Sequence, residues 1–410
     1  MKFPCKSLIL LVVCSLYADA GAPELSQSGA PVLSLLEQSE KQNNKLKPLH
    51  VRVLLDVRKA GDLDPWHING KKEIFVTDLA VPAKKIKHEA VRAQVAQAGV
   101  AVTDVREQKS PLITKALRIQ SPDGYLCVDG TWYQGSLYFV MEGNSALLIN
   151  NIEIEDYIYS VLKTESMSSW PIEMHKVLAI ASRTYVIAKI MEAQKLNRLY
   201  HIKNTNAHQT YTGYHETKAI KQAVDETRDL FLAYNNKPIL AMYDICCGGL
   251  IPSKKSGVNF EHAPYLARTY ACTFCKKAKV YNWSANYTFD YLETALKRDI
   301  PNLKKIKDIK IIKKDHAGTV QKVVIKAASG HHHLRGKRMY SLLKNIKSFC
   351  FSIENTGKKI VFKGRGYGHH MGLCQWGARQ MVQEGWPYHR ILKYYYPTTQ
   401  IMKLDRIITA

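Results

Sequence analysis

Three stretches of the chain hold residue types and spacings that could do chemistry. The first, Glu155 to Lys189, reads EDYIYSVLKTESMSSWPIEMHKVLAIASRTYVIAK. Within it Glu165 stands where one helical pattern ends, before a Ser168-Ser169-Trp170-Pro171 turn. Beside Met167 and Trp170 its carboxyl would lose hydration, which raises a carboxyl pKa and keeps the group protonated as a general acid. Spacing alone favours a helix-end glutamate with no role. The second stretch, His208-Gln209-Thr210-Tyr211-Thr212-Gly213, offers hydrogen-bonding and stacking groups suited to a sugar. The third, GRGYGHHMGLCQWGARQM from Gly364 to Met381, has five glycines in its first fourteen residues. Glycine at that density lets backbone turn sharply and approach a ligand, while Arg365, Tyr367, His369, Gln375 and Trp376 supply charge, stacking and hydrogen bonds. A tight loop leading into a helix is the alternative. The chain has no G-x-x-x-x-G-K-[ST], H-E-x-x-H or G-x-S-x-G pattern, so nucleotide, zinc-protease and serine-hydrolase chemistries have no support.

The elements that must position these groups follow from periodicity. In DYIYSVLKTE, apolar residues at 157, 158, 161 and 162 predict a helix with Glu155 or Asp156 at its start. A second helix is expected from Pro171, with a stripe of Met174, Leu178, Ala181, Tyr185 and Ala188. From residue 51 to 150, short apolar runs alternate with turn signals such as Asn69-Gly70, Pro122-Asp123-Gly124 and Asp129-Gly130, which predicts a strand-dominated lobe. Ile239 to Tyr243 reads as a buried strand, Phe289 to Lys297 as a helix and His331-His332-His333 as an exposed loop.

Charge and length narrow the partners. The 410 residues suffice for two or three domains, and 46% hydrophobic residues can bury a core. Lys and Arg number 59 against 35 Asp and Glu, a net +24 that points to a polyanionic partner. Residues 301–350 alone carry thirteen Lys or Arg and two Asp; they read either as a basic arm or as a solvated face. Residues 1–20 combine Lys2 and Lys6, an apolar run from Ser7 to Tyr17 and Ala18-Asp19-Ala20, the pattern of a signal peptide, with an uncleaved anchor as the alternative. The mature chain is then expected from Gly21, exported to the periplasm or the wall side of the cytoplasmic membrane, with no transmembrane segment and no nucleic-acid partner. Residues 21–50 read as a linker. Seven of the nine cysteines follow residue 20. Cys246-Cys247-Gly248-Gly249 and Cys272-x-x-Cys275 contain the weak metal candidates Cys247, Cys272 and Cys275. A disulfide, a zinc site completed by a histidine such as His262, and free buried thiols all remain open.

The three stretches together resemble the SpoIID/LytB family. The family's E-D-Y…E-M…W-P-x-E…A-R-T-Y pattern is matched by Glu155, Asp156, Tyr157, Val161, Glu165, Trp170, Pro171, Glu173, Lys176, Ala179, Arg183, Thr184 and Tyr185. Its Q-x-Y-x-G is matched by Gln209, Tyr211 and Gly213, and its G-R-G-x-G-H motif by Gly364, Arg365, Gly366, Gly368 and His369, then Gly372, Cys374, Gln375, Gly377 and Ala378. Ser160, Ser166 and His370 depart from the pattern, the last standing where the family has glycine, and His208 stands where some members place a zinc-binding cysteine.

The resemblance implies an α+β, SpoIID-like mixed fold with a β-rich N-terminal part at 51–150, a catalytic core at 151–400 and a basic insertion at about 276–350. It implies lytic transglycosylase cleavage of denuded glycan strands, with Glu165 and Arg183 catalytic and Tyr185, Gln209, Tyr211, Arg365, His369 and Gln375 binding substrate. A glycosidase usually needs two carboxylates, but a lytic transglycosylase can use one, because the sugar's own C6 hydroxyl attacks. No cofactor is required on this reading, though a structural zinc is compatible with it. A non-enzymatic enhancer of a cell-wall amidase is the alternative the resemblance also allows, with retention of Glu165 and Arg183 favouring the enzyme, and a wall-anchoring protein is a third reading.

Overall fold

Alternation of buried and outward side chains sets up the first half of the molecule. In the computed structural model, which describes residues 33, 34, 36, 48–106, 110–205 and 208–404, ten strands precede the first long helix. The expected signal peptide and most of the 21–50 linker lie outside the described residues. The chain divides into two compact units, one containing residues 17–230 and the other residues 231–410.

In the first unit the strands are β1 (His50–Lys59), β2 (Trp66–Asp78), β3 (Lys85–Ala96), β4 (Gly99–Asp104), β5 (Leu112–Thr114), β6 (Ala116–Gln120), β7 (Tyr125–Val128), β8 (Thr131–Gln134), β9 (Ser136–Glu142) and β10 (Ser145–Glu153). With β11 (Ile202–Lys203) they form one sheet ordered β11-β1-β10-β9-β6-β2-β3-β4-β5, from which β7 pairs with β2 and β8. All its pairings are antiparallel except β1 with β11. Asn69-Gly70 does not end a strand: it lies inside β2, where the register with β3 shifts between Asn69 and Ile74 and β2 passes to β7 as an additional partner.

β10 runs directly into α1 (Ile154–Glu165), followed by α2 (Ile172–Lys195) and α3 (Lys218–Glu226). Helix α1 packs on β1, β10, α2 and α3, so residue 150 is not a boundary between bodies: the division falls after Leu230. The predicted helix after Pro171 is there, with Pro171 as its N-cap. Its buried surface is much wider than the predicted stripe, since Val177 through Ile187 are all buried, including Ser182, Arg183 and Thr184. Such a helix is buried on every side and must satisfy its polar groups internally.

The second unit holds β12 (Leu230–Tyr234), β13 (Lys237–Pro238), β14 (Tyr243–Asp244), β15 (Asn282–Tyr287), α4 (Phe289–Leu296), β16 (Ile306–Lys314), β17 (Val320–Ala327), β18 (Gly330–Arg335), α5 (Gly336–Leu342), β19 (Phe351–Asn355), β20 (Ile360–Arg365), β21 (Leu373–Cys374), α6 (Gln375–Gln383), α7 (Tyr388–Tyr395) and β22 (Gln400–Lys403). Helix α4 matches expectation. Of the expected strand at 239–243 only Tyr243 pairs, continuing to Asp244 along β21. The histidine triplet is strand rather than loop: His331, His332 and His333 pair with Lys326, Ile325 and Val324. Their polarity misled because only one face of β17 reaches the core.

The basic stretch is an integral folded element. Ile306, Ile309, Val320, Val323 and Ile325 turn inward to a core shared with Leu292, Leu296, Phe351 and Phe362, while Lys307, Lys310, Lys313, Lys314 and Lys322 are exposed. Phe362 is fully buried, its ring 5.5 Å from those of both Tyr287 and Phe351. Phe362→Ala is expected to cost about 3–5 kcal/mol. Hydrogen exchange should then accelerate in β15, β19 and β20 while β1–β10 keep their protection; uniform protection would place the core of this unit elsewhere.

Candidate functional site

Glu165 is the last residue of α1 and is 7% exposed. The backbone N–H of Thr210 donates to its Oε1 at 3.1 Å, and the Thr164 hydroxyl donates to the Thr210 carbonyl at 2.6 Å. Two adjacent helix residues therefore grip the backbone N–H and carbonyl of one residue, Thr210, which fixes the carboxyl against the 208–213 segment. Ser166 caps the helix end: its hydroxyl donates to the Leu162 carbonyl at 2.6 Å and lies 3.2 Å from Nδ1 of buried His175. Trp170 is buried as expected beside this turn, whereas Met167 is exposed.

The residues beneath Glu165 form a closed polar network. Tyr157 donates to Gln209 Oε1 at 3.0 Å, and Gln209 Nε2 donates to the Ser182 carbonyl at 3.3 Å. Tyr211 stacks on Tyr157 with ring centroids 5.5 Å apart and donates to Asn150 Oδ1 at 2.6 Å. Burial, and secondarily the charge of Glu165, pushes the Tyr157 hydroxyl well above its ordinary range, so it remains a donor. Gln209 and Tyr211, expected to bind substrate, are 1% and 0% exposed; they hold the segment that holds Glu165. Tyr185 is also buried, its hydroxyl 3.4 Å from His208 Nδ1.

Arg183 departs furthest from expectation. Its Nε and Nη2 donate to the two carboxylate oxygens of Glu155 at 2.9 and 2.6 Å, and its Nη1 donates to the Leu230 carbonyl at 3.0 Å. With no exposed surface it touches neither solvent nor Glu165, so it is a positioning residue that ties α2 to the start of α1. Glu155 also accepts the Asp229 N–H at 3.1 Å.

In the second unit, Arg365 is exposed at the end of β20. His369 is 5% exposed; Nε2 donates to the Tyr243 carbonyl at 3.0 Å, while Nδ1 accepts the Met371 N–H at 3.1 Å. Burial, aided by the charge of Lys255, lowers its pKa to about 3, so the ring is neutral and both of its nitrogens are engaged by the backbone of the loop and of Tyr243. Lys255, itself lowered to about 8 by burial, donates to the His369 carbonyl at 2.9 Å. Gln375 is buried at the first turn of α6. A surface groove of about 630 Å³ is lined by Tyr270, Trp386, His389, Arg390 and Tyr394 among others, with the Arg390 guanidinium 3.9 Å from the centre of a Trp386 ring.

The cysteine segments do meet. The sulfurs of Cys247, Cys272, Cys275 and Cys374 lie within 4.8 Å of one another, all buried. The fourth thiol is Cys374 rather than His262; lying about a hundred residues further along the chain, in the glycine-rich motif, it gave no spacing signal. Sequence reasoning likewise missed Thr210, whose contribution is a backbone N–H that any residue but proline could supply.

A family model described as stage II sporulation protein, SpoIID, matches residues 142–234, the span holding Glu155, Glu165, Arg183 and Gln209. That match covers less than a quarter of the chain. The resemblance to the SpoIID/LytB family is borne out by this match, which spans the first two of the three motifs, together with the relatives that follow. A second model, a domain of unknown function (DUF8618), matches residues 267–372. The chain is 29% identical over 324 residues to an uncharacterized protein of Brachyspira hyodysenteriae, covering 78% of this chain and 84% of that one. It is 27% identical over 274 residues to stage II sporulation protein D of Bacillus subtilis, covering 63% and 77%. To the amidase enhancer of the same organism it is 26% identical over 291 residues, 59% of this chain but only 39% of the enhancer.

Removing one partner of the Glu155–Arg183 pair strands a buried charge. Arg183→Met or Glu155→Leu alone should cost about 3–5 kcal/mol, while the double variant regains most of it because both charges leave together. Hydrogen exchange of α1 and α2 in the three variants checks this; a double variant as unstable as the sum of the singles would sink the assignment.

Proposed function

We propose that this chain remodels bacterial peptidoglycan, cleaving denuded glycan strands as a lytic transglycosylase with Glu165 as the single acid and base. The observation that carries the reading is the different placement of the two buried carboxylates described in residues 17–230. Glu155 has both oxygens engaged by Arg183, whereas Glu165 sits at a helix end, 7% exposed, with Oε1 oriented by a backbone N–H. A substrate could reach Glu155 only by dismantling the core around its ion pair. The printed names of the relatives, a stage II sporulation protein and an amidase enhancer, support a cell-wall role.

Glu165 in its acid form donates its proton to the glycosidic oxygen as the bond from the N-acetylmuramic acid C1 to that oxygen breaks. The carboxylate so formed then takes the proton of the C6 hydroxyl of the same sugar as O6 bonds to C1. The product carries a 1,6-anhydro ring and the enzyme regains its proton, so no second carboxylate and no water are consumed. A strand stripped of stem peptides keeps one lactyl carboxylate per disaccharide, a polyanion suited to a chain of net charge +24. These properties suit an exported protein acting at the wall, and no helix among the described residues is long and apolar enough to cross a membrane. The similarity to an amidase enhancer supports a second reading, in which the same glycan contacts recruit an amidase without cleavage.

Glu165→Gln keeps shape and hydrogen bonding but has no proton to give. Binding to denuded glycan should persist while release of anhydro-muramoyl fragments, read by mass spectrometry, falls ~10²–10⁴-fold. Parental turnover in that variant would refute the single-acid mechanism. An unmodified protein that leaves the strands whole yet stimulates an amidase would select the enhancer reading.

Lys304, Lys305, Lys313 and Lys314 are all exposed on the basic stretch. Reversing their charge should weaken glycan retention at low salt, and the difference from the parent should shrink as ionic strength passes ~0.15 M, where screening acts beyond ~8 Å. Equal retention at every salt concentration would make that surface a solvated face only.

A further inference from the structure

We propose that Cys247, Cys272, Cys275 and Cys374 form a closed, structural tetrathiolate site that takes Zn²⁺. The spacing of the sulfurs is the first argument. Tetrahedral zinc with Zn–S bonds of about 2.3 Å holds its sulfurs about 3.8 Å apart. Cys247 Sγ and Cys275 Sγ are 3.8 Å apart, and all four sulfurs lie within 4.8 Å of one another. That cage fits one ion; a polynuclear iron–sulfur cluster would hold its thiolates farther apart. Disulfides would need pairs at about 2.0 Å and would break the four-fold grouping into two.

The surroundings are built for negative charge on sulfur. Cys374 Sγ accepts the N–H of Cys247 at 3.2 Å and of Gly377 at 3.4 Å, and the Tyr395 hydroxyl lies 3.2 Å from Cys272 Sγ. Arg268 is an independent indication. It is 1% exposed, among the described residues it has no carboxylate partner, its Nε makes no hydrogen bond, and its other contacts are the carbonyls of Tyr270 and Leu250 and the rings of Tyr270, Tyr394 and Tyr395. A buried guanidinium without an anion is costly. Four thiols binding Zn²⁺ release four protons to solvent and leave a centre of net charge −2, which supplies the missing counter-charge.

The consequence is a cross-link among three distant segments: the turn after β14, the 272–275 loop and the β21–α6 junction. Such a centre would brace the Tyr270 and Tyr394 wall of the surface groove through Tyr395 and Arg268.

The full chain, purified without chelator from zinc-supplemented medium, should contain about one zinc per chain by elemental analysis. Titrating its thiols with an organomercurial should release that zinc in step with modification. Cys374→Ser and Cys272→Ser should reduce zinc to a trace, while Cys350→Ser, outside the cage, retains it. Because a ligand variant could simply misfold, cobalt exchange into the unaltered protein is the second readout: it should give the intense visible bands and near-ultraviolet thiolate charge-transfer absorption of tetrahedral Co²⁺. Metal-free protein with oxidised or free thiols, iron at equal stoichiometry, or bound cobalt without those bands would overturn the proposal.

Discussion

The first unit depends on an ion pair that water never reaches. Arg183 occupies the middle of a helix buried on all sides, and a guanidinium there is tolerable only because Glu155 offers both oxygens and Leu230 its carbonyl. The pair fixes the relative position of α1 and α2 at one point near the start of α1. Everything at the other end of α1 inherits that placement, because a helix of twelve residues acts as a rigid rod about 18 Å long. Glu165 is the last residue on that rod. Its position is therefore set by a charge pair near the rod's other end and by the Thr210 peptide at its own.

This division of labour explains why so many motif residues are hidden. Tyr157, Gln209 and Tyr211 spend their polar atoms on one another, on Ser182 and on Asn150, so that a loop segment lies against the end of α1 in one arrangement. Buried polar networks of this kind specify geometry more than they add stability. A carboxyl meant to deliver a proton along one line gains from such specification. The substrate in that case meets few of the residues that make the site possible, and a motif read as a set of ligands is mostly a set of struts.

The legible parts of the sequence were those where local periodicity and packing agree. Apolar residues at 157, 158, 161 and 162 and a proline at 171 located two helices, and turn signals among short apolar runs located the strand-rich region at 51–150. The illegible parts depended on partners far along the chain. Asn69-Gly70 has the composition of a turn, but β7 arrives as an additional partner for β2 and keeps the backbone extended. The histidine triplet has no apolar residue until Leu334, yet pairing with β17 makes it strand. Arg183 carried no mark that its counter-ion would be Glu155 rather than a substrate, since both lie in the same motif.

The glycine-rich segment shows the same principle in the second unit, where backbone and not side chain is the ligand. Gly368 has φ +130° and any Cβ there would come 3.1 Å from Asp244 Cγ, in a site where the carboxylate accepts the His370 N–H at 2.7 Å. His370 itself holds φ +65°, the left-handed region that favours the glycine the family pattern has there, and it offsets that strain by hydrogen bonding Nδ1 to the Cys247 carbonyl at 2.9 Å. At Gly377 a Cβ would stand 2.8 Å from Cys272 Sγ and 3.3 Å from Cys374 Sγ. The missing side chain is what lets the first turn of α6 close over the sulfurs and direct its N–H at one of them. Glycines that a sequence reading assigns to contact with a ligand thus act one layer deeper, making room for a buried carboxylate and a thiol cage.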